Sequence, residues 1–189
     1  MSDQGILADD NQGLSIRRMR DDADDYGLML RWLALPHVAE WWNPEREDLD
    51  LNTIIDRYGP ATRSEDSATA CIVQVSGRPI GYIQFYPWDA EVVEMREMGF
   101  DLPAGYWGID IFVGEPDHIN RGFGSRAVSL ARRYLIEECR ATGIALAVAR
   151  DNLRAQRAYE KAGLVRKQEV LDTDTRDGKR IPSYLMATP

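Results

Sequence analysis

The stretch Ile119-Asn120-Arg121-Gly122-Phe123-Gly124-Ser125 places two glycines, small polar residues and a base just ahead of a run with helical periodicity. Glycine lets a backbone come close to a ligand, and the first turn of a helix exposes N–H groups at the positive end of its dipole. That chemistry suits an anion, a pyrophosphate above all. A tight turn that binds nothing has the same composition, so both readings stay open on this stretch alone. A dinucleotide-binding fold is disfavoured, because no early strand carries the three-glycine fingerprint and Gly122 falls late in the chain.

A second informative stretch runs over residues 151–164. Asp151 or Asn152 can cap a helix on which Ala155, Ala158 and Ala162 form a small-residue face that admits close approach, with Tyr159 on the same face. Ordinary packing, with Tyr159 as a wall residue, is the competing account. The other reactive residue types offer less. Cys71 and Cys139 each sit in an apolar run and read as inert buried thiols, neither a disulfide framework nor a nucleophile. His37 reads as a cap or packing residue and His118 as a surface residue or a neighbour of the phosphate site. Those histidines and cysteines have no zinc-ligand spacing, so no metal is expected.

Charge narrows the partners. The 189 residues carry a formal net charge of -8, which disfavours nucleic acid and anionic membrane, since both are bound through fields of Lys and Arg. A cationic substrate is easier to accommodate. Asp89, Glu91, Glu94, Glu97, Asp101, Asp110, Glu115 and Asp117 lie close together in sequence against the single base Arg96. A solvated loop could look the same, but beside an acceptor site such a field would concentrate a polycation. No secretory signal or membrane-spanning run is present, and a soluble cytoplasmic protein is expected.

These residues need elements to position them. Residues 1–13 read as a disordered acidic leader and residues 14–189 as one domain, a size that can bury a core without metal or disulfide. Leu14, Ile16 and Met19 begin a strand. Asp21 and Asp22 can cap the helix holding Tyr26, Met29, Leu30 and Leu33, which Pro36 stops. Short helices are expected around Trp41 and Trp42, and from Leu51 to a stop at Gly59-Pro60. A hairpin follows over residues 70–86, turning at Ser76 and Gly77. The polar connection over residues 87–105 has the length of a functional loop. Residues 106–113 form a strand interrupted by Gly108, and residues 122–140 a long amphipathic helix. A short strand, a short helix and a strand pair turning at Asp177-Gly178 complete the chain. The order predicts an α/β (α+β) fold, a mixed central sheet with helices on both faces.

The element Arg121-Gly122-Phe123-Gly124 followed by Asn152, Ala155, Tyr159, Glu160, Lys161, Ala162 and Gly163 resembles the paired signature motifs of the GNAT superfamily of N-acetyltransferases, in the right order and at the right separation. The resemblance implies a splayed pair of strands in the sheet and acetyl coenzyme A as cofactor. Its pyrophosphate would lie on Asn120, Arg121, Gly122, Phe123, Gly124 and Ser125. Its pantetheine arm would lie between a strand at Ile111, Phe112 and Val113 and the strand over residues 144–149, with Asn152, Ala155, Tyr159 and Lys161 nearby.

A closer similarity is to aminoglycoside 6'-N-acetyltransferases. It rests on residues 37–42 with their double tryptophan, on residues 79–84, on Gly108-Ile109-Asp110 and on the two motifs above. It implies Asp110 as general base, Tyr159 as the acid that protonates the leaving thiolate, and direct transfer to the 6'-amine in a ternary complex. Trp41, Trp42, Gln84, Trp88, Asp101, Asp110 and Asp177 would line the acceptor pocket, with Tyr106 and Trp107 as further aromatic walls. Two departures stand out. Ala147 occupies the place of an acidic pocket residue, for which Asp177 is expected to substitute in part, and the segment 92–106 differs in composition from its counterpart. A siderophore acyltransferase acting on a hydroxylated lysine-like amine, a peptide acetyltransferase and a non-enzymatic module of the same fold are the alternatives. A monomer or small homodimer is expected, although fold-level similarity does not fix assembly surfaces.

Overall fold

Three helices begin where a short polar side chain can accept from the first turn. In the computed structural model, which describes residues 5–42, 49–88, 102–173 and 180–189, Asp22 accepts from Asp25 N–H at 2.9 Å, Asp50 from Thr53 N–H at 2.8 Å and Asn152 from Ala155 N–H at 3.1 Å. β1 (Ile6–Asp9) and β2 (Leu14–Arg18) lead into α1 (Ala23–Leu33), α2 (Pro36–Trp42) and α3 (Leu51–Thr62). β3 (Thr69–Val75), β4 (Arg78–Pro87) and β5 (Tyr106–Val113) follow. α4 (Phe123–Glu137), β6 (Gly143–Ala149), α5 (Leu153–Lys161), β7 (Val165–Thr173) and β8 (Arg180–Ala187) complete the order.

Three local expectations change. Residues 6–9, expected in a disordered leader, form the edge strand β1, paired antiparallel with β2. Long-range contacts hold it, since Arg126 of α4 pairs with Asp10 and Arg133 Nη2 donates to the Asp9 carbonyl at 2.6 Å. Pro36 opens α2, where its fixed φ suits a first turn and its missing N–H costs nothing. α3 does not stop at Gly59-Pro60 but continues to Thr62. Its last turn closes through the Arg63 N–H and the Thr62 hydroxyl, both donating to the Gly59 carbonyl at 3.0 and 2.8 Å.

The strands form one mixed eight-stranded sheet in the order β1-β2-β3-β4-β5-β6-β8-β7. Neighbours are antiparallel except β5 and β6, which run parallel and pair at Tyr106↔Gly143, Trp107↔Ile144 and Gly108↔Ala145. Both strands continue past those pairs without pairing to each other, which is the splay expected at Ile111, Phe112 and Val113. Gly108 belongs at the start of the gap: the Tyr86 ring lies across it, and a Cβ there would meet that ring at 2.3 Å.

Strand alternation sends successive side chains to opposite faces. Ile83 and Phe85 of β4, with Ile109 of β5, pack with Ala127, Val128, Leu130, Ala131 and Leu135 of α4. Tyr82 of β4 packs on the other face with Tyr26, Met29, Trp32 and Leu33 of α1 and Tyr58 of α3. Phe112, flanking this second cluster, marks the face of β5 that Asp110 shares by its even spacing. The sheet is therefore covered on both sides, with the splay open between the two layers.

Candidate active site

A cleft of about 1120 Å³ opens where β5 and β6 part. Asp110, Ile111, Phe112 and Val113 line one side, and Ala147, Val148 and Ala149 the other. At one end lies the glycine loop. Asn120 and Gly122 take positive φ of 60° and 82°, a conformation that suits glycine and is tolerated by asparagine, and α4 begins at Phe123. The first intrahelical bond beyond Gly122 is Arg126 N–H to the Gly122 carbonyl at 3.1 Å, so the N–H groups of Phe123, Gly124 and Ser125 precede the ladder. A Cβ built on Gly122 would meet nothing within 4 Å and one on Gly124 only Val113 Cγ2 at 3.9 Å. The space over the loop is open, as an anion cradle requires.

Asn120, Gly122, Phe123, Gly124, Ser125, Asn152, Ala155, Tyr159 and Lys161 all line this cleft. Arg121 does not. Its guanidinium donates to the Asp117 carbonyl at 3.3 Å and sits 5.9 Å from the centre of the Phe123 ring. Ile119 and His118 line the cleft instead, and His118 packs its ring 5.2 Å from that of Phe123.

Tyr159 is 9% exposed and reaches the cleft from α5. Burial pushes its phenol well above the ordinary range; the charge of Asp110 pushes the same way and Arg154 opposes it. The hydroxyl therefore keeps its proton and acts as a donor. Asp110 is held on β5 opposite Gln84 of β4, and Gln84 Nε2 donates to Asp110 Oδ2 at 2.9 Å. His37 also lines the cleft; in the tautomer protonated at Nε2 it donates to the Val113 carbonyl at 3.1 Å.

The aromatic walls differ from expectation. Trp41 and Trp42 line the cleft, but the Trp42 N–H is committed to the Tyr58 hydroxyl at 2.9 Å, and its ring meets Tyr82 and Phe112 edge-on. Trp88 is 4% exposed, packed with Ala145, Val170, Leu185 and Ala187, and does not line the cleft. Tyr106 and Trp107 also stay outside it, Tyr106 packed against the group around Trp88 and Trp107 against the core beneath α4. Aromatic side chains serve cores and pockets alike, so residue type alone does not separate the two.

Only part of the acidic segment falls among the described residues. Asp101 and Asp177, with the carboxylates over residues 89–97, lie outside the described residues. Of the rest of that segment, Glu115 accepts from Trp32 Nε1 at 2.8 Å and pairs with Arg31, and neither it nor Asp117 is a lining residue. Glu40 of α2, Asp66 and Asp172 of β7 line the cleft with Asp110, and sequence reading missed all three. Asp172 faces Ile181 across β7 and β8, a juxtaposition that no local pattern announces. Arg57, Arg154 and Arg157 supply bases. Cys71 is fully buried, which pushes its thiol up and leaves it inert. Among the described residues no cluster of His, Cys, Asp and Glu could hold a metal, and no helix is long and apolar enough to cross a membrane.

Residues 21–171 match the family described as acetyltransferase (GNAT) domain. An aminoglycoside N(6')-acetyltransferase type 1 from Klebsiella pneumoniae is 28% identical over 177 residues, covering 89% of this chain and 82% of its own. The N-hydroxyputrescine acetyltransferase of Acinetobacter baumannii is 21% identical over 150 residues, covering 77% of this chain and 68% of its own. The solved structure of AAC(6')-Ib in complex with ribostamycin and coenzyme A aligns with a TM-score of 0.76 and 27% identity over 93% of each chain. A family match from α1 into β7, on a sheet that splays beside a glycine loop at a helix start, means that the chain belongs to the acetyltransferase (GNAT) domain family.

Proposed function

We propose that this protein transfers an acetyl group from acetyl coenzyme A to a primary amine of an aminoglycoside, at the 6' position. The observation that carries the reading is one continuous cleft with an anion cradle at one end and Asp110 and Tyr159 on its walls. Similarity to an aminoglycoside N(6')-acetyltransferase over most of the chain supports the acceptor class. The residues fit the cofactor: Asn120, Gly122, Phe123, Gly124 and Ser125 would hold its pyrophosphate, and Ile111, Phe112 and Val113 would flank its pantetheine arm. When bound, it supplies an acetyl group activated as a thioester.

The chain's own groups then manage protons and charge. An ammonium has no lone pair to attack with, so Asp110 takes a proton from the acceptor amine, directly or through water. The buried Tyr159 hydroxyl holds the proton that the leaving sulfur takes. Asp66, Asp172 and Glu40 hold the acceptor's other ammonium groups by charge. Transfer is direct: Cys71 is sealed in the core and neither it nor Cys139 lines the cleft. Every group in this scheme comes from one chain, so a monomer or small homodimer serves equally, and cysteines left unpaired accord with a cytoplasmic setting.

The test is a turnover screen with thiol release as readout across aminoglycosides, polyamines, hydroxylated lysine and basic peptides, followed by NMR of the product. Preferred turnover of an aminoglycoside with the acetyl group on the 6' nitrogen is expected. Preference for a hydroxylated amine or a peptide would overturn the acceptor assignment, and acetylation at another ring position would overturn the regiochemistry.

A further inference from the structure

The amide of Gln84 bonds at both ends. Its Nε2 donates to Asp110 Oδ2 at 2.9 Å, and its Oε1 accepts from the Tyr82 hydroxyl at 2.9 Å. A glutamine beside a carboxyl group ordinarily has two useful orientations: it offers N–H to the carboxylate and, turned over, its carbonyl to the protonated acid. Tyr82 removes the second. Its side chain is fully buried, and among the described residues its hydroxyl bonds Gln84 alone. Turning the amide over would leave the phenolic proton buried without an acceptor, which is unfavourable.

The ring cannot move aside to escape this. It stacks on Phe112 with centroids 5.6 Å apart and meets Trp42 and Tyr58 edge-on at 5.7 and 5.5 Å. Burial also pushes its phenol well above the ordinary value, so it remains a donor throughout the working pH range.

We propose that Tyr82 is a positioning residue for the acetyl transfer: by fixing the Gln84 amide it keeps an N–H donor on Asp110 Oδ2 whether or not the carboxyl is protonated. This rests on the reading of Asp110 as the base. The N–H also favours the charged carboxylate, so losing the fixed orientation raises the pH at which Asp110 titrates. Among the described residues Tyr58 of α3 and Tyr159 of α5, like Tyr82 itself, feel the charge of this carboxyl. Around the same cleft stand Glu40 of α2, Arg57 of α3, Asp66, Arg154 and Arg157 of α5, and Asp172 of β7. All of them stay in place in the test.

Tyr82→Phe keeps the ring and removes the donor. With the aspartate carboxyls labelled with ¹³C and the Asp110 resonance identified by its loss in Asp110→Asn, the titration midpoint of Asp110 should rise by about half a pH unit or more. Affinity for coenzyme A, measured by calorimetry, should not change. In a Gln84→Met background, Tyr82→Phe should move the midpoint no further. An unchanged midpoint in folded Tyr82→Phe, or the full shift persisting without Gln84, would overturn the proposal. Gln84→Met alone must raise the midpoint at least as far, which keeps the test alive if Tyr82→Phe does not fold; no rise there overturns it too. The acid limb of kcat should follow the NMR midpoint. If the NMR midpoint moves and the kinetic limb does not, the base role of Asp110 falls while the positioning chain stands.

Discussion

The Arg17 guanidinium grips Asp25 through two hydrogen bonds of 2.6 and 2.8 Å, in a place where the two side chains are 4% and 0% exposed. Arg20 adds its backbone N–H at 2.7 Å and its own guanidinium at 2.9 Å. This knot ties β2 to the first turn of α1 and so sets the helical layer against the sheet. Burial pushes the Asp25 carboxyl up, but the hydrogen bonds from Arg17 and Arg20 outweigh it and hold the pKa at about 2.

A carboxylate depressed in the folded state adds stability that is complete above its unfolded value, about 3.9, and lost as pH falls through the folded one. About 2 kcal/mol should therefore disappear as pH falls from about 4 to 2. Urea unfolding over that window measures it. Asp25→Asn should remove this acid-dependent component and cost about 3–5 kcal/mol near neutrality, because Arg17 stays buried with its charge uncompensated. A stability curve with the same acid slope in both proteins would rule out Asp25 as its source.

Gly124→Val probes the anion cradle. The added Cβ falls 3.9 Å from Val113 Cγ2, an ordinary contact, so circular dichroism and Tm should change little. The side chain occupies the space over the loop, so the Kd for coenzyme A should rise by about tenfold or more, equivalent to losing one charge-assisted hydrogen bond. Gly108→Ala is the opposite case: its Cβ would fall 2.3 Å from the Tyr86 ring, so stability should drop first. Calorimetry with unchanged affinity in folded Gly124→Val would remove the pyrophosphate from this loop.

Features with local causes were legible in the sequence. Asp22 and Asn152 cap helices because a short acceptor lies three residues before a backbone N–H. Ser76 and Gly77 turn the β3–β4 hairpin with φ of 50° and 76°. The glycine loop was readable for the same reason. What failed depends on partners distant in sequence. β1 is held by arginines of α4 more than a hundred residues away. Trp88 differs little in local context from Trp41, yet one is covered by β7 and β8 and the other borders the cleft. Asp172 reaches the cleft only because β7 lies beyond β8 at the sheet edge.

Asp172 should govern the response to salt. Screening weakens each charge pair between enzyme and acceptor, so KM for a polycationic aminoglycoside should rise with ionic strength more than KM for a mono-amine. Asp172→Asn should raise the aminoglycoside KM by about threefold to tenfold, as expected for one partly exposed charge pair, and flatten its salt dependence while sparing kcat. Steady-state kinetics at two salt concentrations decide it. Equal salt slopes for both acceptors in the wild-type enzyme would remove the electrostatic role.

Asp110 and Tyr159 should separate in their kinetics. A carboxylate beside the acceptor amine can hold the ammonium by charge or accept its proton. If charge alone mattered, Asp110→Asn would raise KM and spare kcat, because binding would be lost equally from ground and transition states. Glu40, Asp66 and Asp172 already supply charge around the cleft, so the proton-accepting duty should dominate. The expected result is a kcat lower by about 10²-fold or more, with the acid limb of the pH profile flattened. Tyr159→Phe keeps the ring in its small-residue surroundings and removes only the hydroxyl. If this hydroxyl supplies the proton for the leaving sulfur, kcat should fall by about 10²-fold as well, with coenzyme A affinity unchanged, because that proton is needed only as the sulfur leaves. The double variant should lose less than the product of the two single losses if both protons move in one transition state. Near-normal kcat for Asp110→Asn at saturating aminoglycoside, across about pH 6 to 9, would end its assignment as the base and leave it as a binding charge.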